Sequence, residues 1–239
     1  MTAVTTRQQD AGLTDLAVGG ITAFSTIDWP GKLSCVCFLA GCPWRCAYCQ
    51  NHILWDASAA HSSWTELEEL LKHRKGLLDG VVFSGGEPLM QTALPAAIKR
   101  VRELGYAVGL HTGGAIPERL EEVLPYLSWV GFDVKAPWEL YEKITHVVGS
   151  GAYAQKSLCL LLRSKIELEV RTTWHPALLS SADIVRIGWS LRILGVKHWV
   201  IQAYRHQGTI GVLPEVSVIS ADVPEEAKTC VEHFEFRQA

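Results

Sequence analysis

"GCPWRCAYCQN" spans Gly41 to Asn51 and sets Cys42, Cys46 and Cys49 at a C-x3-C-x2-C spacing. Three thiols on one tight loop, flanked by Gly41 and Pro43, can converge on a metal. Soft thiolates select iron–sulfur clusters, zinc or copper(I). Structural zinc wants four ligands. His52 is available, but two residues between it and Cys49 is not a usual zinc spacing. The other solution is a four-iron cluster in which one iron lacks a protein ligand and stays open to a small molecule.

Immediately before the loop, "SCVCFLA" (34–40) is an apolar, β-branched run that ends at Gly41 and reads as a buried strand. From there strand and helix alternate. Further strands are predicted at "GVVFS" (80–84), "YAVGLHT" (106–112), "WVGFDVK" (129–135), "IELEVRTTW" (166–174) and "KHWVIQAYR" (197–205). A helix capped by Ser63 runs to Gly76, with acids early and bases late, as its dipole prefers. Other helices are expected over 91–105, in "PERLEEVLPYL", once or twice within 138–164, and over 181–195. Residues 206–239 show no clear pattern.

Six β/α units with apolar strands imply an α/β fold with a parallel sheet covered by helices. Six is too few for the eight-stranded barrel, so a partial barrel or an open sheet is expected. Chemistry then belongs at the C-terminal ends of the strands. The cysteine loop, "GGEP", "HTGG" and "DVK" all fall there.

The chain of 239 residues, 48% hydrophobic, suits one domain with a substantial core. Its net charge of −3 gives no electrostatic case for nucleic acid as the main partner. No apolar run approaches the ~20 residues needed to span a bilayer. "MTAVTTRQQDAG" lacks the apolar core of a signal peptide. Residues 1–17 read as a flexible tail, 18–239 as a single domain with its core over about 34–205, and the cytoplasm as the location. Of seven cysteines, five lie between Cys35 and Cys49, which argues against a disulfide framework. Cys35 and Cys37 share a strand face and read as core. Cys159 and Cys230 are isolated. His146, His175, His198 and His233 show no metal spacing and read as structural.

Three further groups carry candidate chemistry. In Gly85-Gly86-Glu87-Pro88 the paired glycines let a backbone approach a ligand closely, and Glu87 offers an acceptor for an ammonium group. An ordinary turn is the alternative. Alternation points Asp133 and Lys135 to one side of their strand, where buried opposite charges would need partners. The alternative is an exposed, salt-bridged strand end. Arg171 suits a carboxylate or ribose, or else a structural ion pair.

The cysteine loop, with the aromatic Tyr48 before its last cysteine, resembles the signature of the radical S-adenosylmethionine superfamily. The longer stretch "STIDWPGKLSCVCFLAGCPWRCAYCQNHILWD" resembles the opening of glycyl-radical-enzyme activating proteins. There a "DGPG"-like turn precedes the first strand, as Asp28-Trp29-Pro30-Gly31 does here. Asn51, Trp55 and Asp56 match the text after the last cysteine. "LHTGGA" and "EVRTTWHP" look most like the activating protein of anaerobic ribonucleoside-triphosphate reductase. The likeness covers roughly residues 18–205.

The resemblance implies a partial (β/α)6 barrel, with one 4Fe-4S cluster on Cys42, Cys46 and Cys49. S-adenosylmethionine would be the missing ligand of the fourth iron. Tyr48, Gln50, Gly85, Gly86, Glu87, His111, Asp133, Lys135, Arg171 and Arg205 would bind that cofactor, the "GGEP" motif its amino group and Lys135 its carboxylate. The implied activity is an oxidoreductase that cleaves S-adenosylmethionine reductively and installs a glycyl radical on anaerobic ribonucleoside-triphosphate reductase. Flavodoxin or ferredoxin is the implied electron donor.

Two departures stand out. Arg205, with His206 beside it, falls where proteins that activate pyruvate formate-lyase have a histidine near the cofactor. His111-Thr112-Gly113-Gly114 stands where those relatives have an Asp before Thr-Asn-Gly, part of a cation site. A neutral imidazole is a poor ligand for a hard cation. His111 therefore either contacts the cofactor or satisfies a local hydrogen bond. The rival readings are an activase of another glycyl-radical enzyme, a superfamily member with a small substrate such as a deazapurine-forming synthase, and a non-enzymatic iron–sulfur or zinc module.

Overall fold

β1 (Val18–Ser25) runs antiparallel to β2 (Ser34–Leu39), with Ile21 opposite Cys37. β2 is the strand expected before the cysteine loop. The computed structural model describes residues 12–211, 213, 214, 216 and 218–238. The other expected strands are β3 (Gly80–Gly85), β4 (Ala107–Thr112), β5 (Trp129–Asp133), β6 (Glu167–Trp174) and β7 (His198–Ala203), and β8 (His233–Arg237) follows them. The sheet order is sequential from β1 to β8, which leaves those two as the edges. The β2–β3, β3–β4, β6–β7 and β7–β8 pairs are parallel. This is the expected α/β class with an open, mostly parallel sheet.

Two strands go beyond the sequence expectation. β1 has the burial pattern of an edge strand, with only Val18 and Ser25 buried, and two glycines dilute its β signal. β8 lies in the stretch 206–239 that showed no pattern. Of the expected tail, residues 1–11 lie outside the described residues, while Leu13 and Leu16 are buried. Among the described residues, no helix is long and apolar enough to cross a membrane.

The chain divides into two compact units. One takes in residues up to Pro43, Ile53–Thr112 and Glu118–Val130; the other takes in Trp44–His52, Gly113–Pro117 and the chain from Gly131 on.

In the first unit, β2 and β3 are buried along nearly their whole length, as continuous apolar runs in a covered parallel sheet should be. Trp29 and Trp129 stack with centroids 5.7 Å apart and pack with Val36 and Val82. α1 (Trp64–His73) starts at a capping box, in which Ser63 accepts from the Glu66 amide and Glu66 accepts from the Ser63 amide. It buries Trp64, Leu67 and Leu71, one face of a helix. α2 (Leu94–Glu103) has Pro95 in its first turn and buries Leu94, Ala97, Ile98 and Val101. α3 (Pro117–Val123) leads to β5.

The second unit holds α4 (Tyr141–Thr145), α5 (Ser150–Ser164), α6 (Ser181–Leu194) and the short α7 (Glu225–Lys228). A Ser180–Asp183 capping box opens α6 and left-handed Gly195 closes it. β8 is locked from its end. Arg237 donates to both carboxylate oxygens of Glu169 at 2.9 and 2.7 Å, and Glu169 is 1% exposed. Arg237 also bonds Glu235.

Candidate functional site

In the first unit, Gly41 (φ +96°) turns the chain out of β2 into the cysteine loop. Leu54 and Trp55 hold the start of that loop, their carbonyls accepting from Gly41 N at 2.8 Å and Cys42 N at 3.1 Å. The turn after β3 is tied to the same place. Gly86 N donates to Leu39 O at 2.8 Å and Glu87 N to Gly41 O at 2.9 Å. A Cβ at Gly85 would lie 2.4 Å from the Leu39 backbone, and one at Gly86 2.3 Å from Gly41 O. Their missing side chains let the ends of β2 and β3 lie close together.

Glu87 is 2% exposed. Its Oε1 accepts from Leu89 N at 3.1 Å and from Thr112 Oγ1 at 2.6 Å. The "HTGG" segment thus contributes a hydroxyl that orients the Glu87 carboxylate, a role not expected for Thr112. His111 Nε2 donates to the Asp28 carbonyl at 2.8 Å, and in the neutral ring Nδ1 accepts from Ser84 Oγ at 3.2 Å. Both ring nitrogens have protein partners. Cys35 and Cys37, at 0% exposure, are core; burial pushes the Cys35 thiol up to about 12.

The second unit holds the remainder of the loop. Cys46 is buried, Cys49 half-buried, and Cys49 N donates to Cys46 O at 3.0 Å across a tight turn. Burial pushes the Cys46 thiol up to about 11, with Lys135 pulling the other way. No cysteine forms a disulfide.

Asp133 and Lys135 do face the same side, with Lys135 Nζ 3.5 Å from Asp133 Oδ2. Arg171 Nε donates to Asp133 Oδ1 at 3.2 Å, and Arg171 Nη2 to Gly131 O at 3.3 Å. Arg171 therefore makes an ion pair with a second predicted site residue. Burial opposes the charge on Lys135, but its neighbours Tyr48, Asp133 and Cys46 outweigh that and hold its pKa well above the ordinary lysine value. Its ammonium lies over the rings of Trp44 and Tyr48, 5.6 and 5.7 Å from their centroids. Trp44 was not among the expected site residues; it sits inside the cysteine motif at a position whose identity the motif leaves open.

Gln50 and Arg205 find each other. Arg205 Nη2 donates to Gln50 Oε1 at 3.0 Å, and Gln50 Nε2 reaches Arg205 O at 3.5 Å. His52 Nδ1 donates to Gly208 O at 3.1 Å, which pins the segment after β7 to the cysteine loop. Of the histidines read as structural, His175 is fully buried between Ala177 N and Pro214 O. His198 differs, because ligand atoms of Glu169, His198 and Glu235 lie within 4.8 Å of one another. The Arg237 guanidinium already bonds both carboxylates there, so the group is an ion-pair network.

The sequence pattern described as Radical SAM superfamily matches residues 36–176. A Methanocaldococcus jannaschii protein, provisionally named a glycyl-radical enzyme activating enzyme, is 31% identical over 183 residues, 73% of this chain and 75% of its own length. The 7-carboxy-7-deazaguanine synthase of Thermococcus kodakarensis is 26% identical over 59% of this chain and 67% of its own length. Streptococcus suis SuiB, solved bound to S-adenosylmethionine, superposes with a TM-score of 0.63 at 12% identity, over 83% of this chain and 48% of its own. The chain thus spans about half the length of that structure.

Proposed function

The chain belongs to the radical S-adenosylmethionine superfamily, and from that premise we propose that it activates a glycyl-radical enzyme, namely anaerobic ribonucleoside-triphosphate reductase. Members of the superfamily use a 4Fe-4S cluster and S-adenosylmethionine. Together these supply reductive cleavage of the sulfonium carbon–sulfur bond. The residues present fit the pair. Cys42, Cys46 and Cys49 are soft donors outside any disulfide. Cys46, raised to about 11, gives up its proton when a cation takes its place. Lys135 and Arg171 share the single carboxylate of Asp133, so the ammonium retains donors for an incoming carboxylate.

In this reading the three cysteines hold the cluster, Lys135 takes the carboxylate of S-adenosylmethionine, and Glu87 takes its ammonium. Thr112 and the Leu89 amide aim the Glu87 carboxylate. Trp44 and Tyr48, 4% and 8% exposed, keep water from Lys135. The observation that supports glycyl-radical activation is the relative named for it, at 31% identity over 73% of the chain; the choice of the reductase as target rests on the likeness of "LHTGGA" and "EVRTTWHP". The likeness to a deazaguanine synthase supports a second reading, a small-molecule substrate. Flavodoxin or ferredoxin is the proposed electron donor.

The test mixes the reduced, cluster-loaded protein with S-adenosylmethionine and the reductase under anaerobic conditions and records an electron paramagnetic resonance spectrum. A glycyl-radical doublet that depends on this protein is expected. Cleavage without a doublet points to another glycyl-radical enzyme or to the small-substrate reading. Neither signal with a full cluster overturns the enzyme reading.

A further inference from the structure

Lys135 is held at both ends by aromatic side chains of its own unit. Tyr141, fully buried, brackets the backbone: its hydroxyl accepts from Lys135 N at 3.0 Å and reaches Asp133 O at 3.5 Å. At the other end the ammonium lies over the rings of Trp44 and Tyr48, 5.6 and 5.7 Å from their centroids. A cation over an indole is the strongest of the ring–cation contacts, and burial strengthens it. The Trp44 ring is itself wedged. It meets Tyr141 edge-on, centroids 6.2 Å apart. On another side it lies against Gly113, where a Cβ would fall 2.2 Å from its Cζ3 and 3.1 Å from Lys135 Cε. Any side chain at position 113 would push the indole, the lysine stem, or both.

We propose that Trp44 is a positioning residue for cofactor binding that acts through Lys135: its indole face seats the ammonium, and position 113 is glycine so that the indole can lie there. This rests on the reading of Lys135 as the group that takes the carboxylate of S-adenosylmethionine. Lysine has four rotatable bonds and Asp133 touches the ammonium from one side only. Without the two ring faces the ammonium would spread over several rotamers, and binding would have to reorder it. The aromatic seat supplies that order in advance.

The experiment measures equilibrium binding of S-adenosylmethionine to the cluster-loaded protein, with iron and sulfide content determined for every variant. Trp44→Leu is expected to weaken binding about tenfold, the value of one buried cation–ring contact. Trp44→Phe, which keeps a ring face, is expected to restore most of the affinity. Gly113→Ala disturbs the indole from the opposite side and is expected to copy Trp44→Leu. The deciding variant is Trp44→Leu combined with Lys135→Met. If Trp44 acts through Lys135, the pair binds no more weakly than Lys135→Met alone. Multiplied losses in the double variant overturn the proposal. Wild-type affinity in Trp44→Leu beside weakened Lys135→Met overturns it too, and leaves the reading of Lys135 standing. Failure of the wild-type protein to bind S-adenosylmethionine overturns that reading together with the proposal.

Discussion

The Thr112 hydroxyl donates to Glu87 Oε1 at 2.6 Å, so the last residue of β4 orients the acid that follows β3. Both groups are buried, and a hydrogen bond to a charged acceptor is worth about 1.5–3 kcal/mol. Thr112→Val keeps the shape and removes the donor. It is expected to weaken S-adenosylmethionine binding roughly tenfold or more, while Thr112→Ser stays within a few-fold. Equal affinity in the valine variant would show that the Thr112 hydroxyl is not needed to orient Glu87.

The cysteine loop gives the most absolute prediction. Cys46→Ala removes the buried member of the C-x3-C-x2-C set. Iron beyond trace levels and all cleavage of S-adenosylmethionine should vanish together. A variant that still cleaves would mean that the metal site has been misassigned.

Glu169 and Arg237 predict a stability effect away from the site. The Glu169 side chain is 2% exposed and the Arg237 side chain 28%. Removing one member of a buried pair costs about 3–5 kcal/mol, discounted here because Arg237 keeps Glu235 and some solvent. Glu169→Ala should therefore cost about 2 kcal/mol and lower the melting temperature by about 4–8 °C. Arg237→Ala should cost more, since it strands a buried carboxylate. Unchanged melting of both variants would show that β8 does not depend on the pair.

The buried thiols predict alkaline sensitivity in the metal-free protein. Cys46 and Cys35 are raised from 9.0 to about 11 and about 12 by burial. Above pH 9 the unfolded chain releases protons that the fold retains. Stability from these groups is therefore whole below pH 9 and falls as pH rises toward 11 and 12. Urea midpoints at pH 8, 9.5 and 11 should decline in that order, and Cys35→Ala should flatten the decline. A decline just as steep in that variant would assign the loss to other groups.

What could be read in the sequence was what is local. The apolar runs of β2, β3 and β4 are set off by glycines, β6 shows in its alternation, and the cysteines, "GGEP" and "DVK" each fall within a few residues. β1 and β8 were hidden because an edge strand does not need a fully apolar run, and each is recognisable only by the neighbour it pairs with. Thr112 with Glu87, Arg205 with Gln50, and Arg237 with Glu169 were hidden for a related reason. Each joins residues far apart in the chain, and neither half of such a pair carries a local signal. The two glycines of "GGEP" were noticed, but their close approach to the backbone of Leu39 and Gly41 is visible only in the folded chain.

The contact between Trp44 and the bare Cα of Gly113 has a consequence for how this protein can vary over descent. The two positions share one volume, so neither is free to drift alone. A lineage that acquires a side chain at 113 before it shrinks 44 passes through an intermediate with a displaced lysine. The reverse order passes through one that lacks the indole face, with a cavity that a later residue at 113 can fill. The two sites should therefore change together, and homologues that carry a bulky residue at both should be missing.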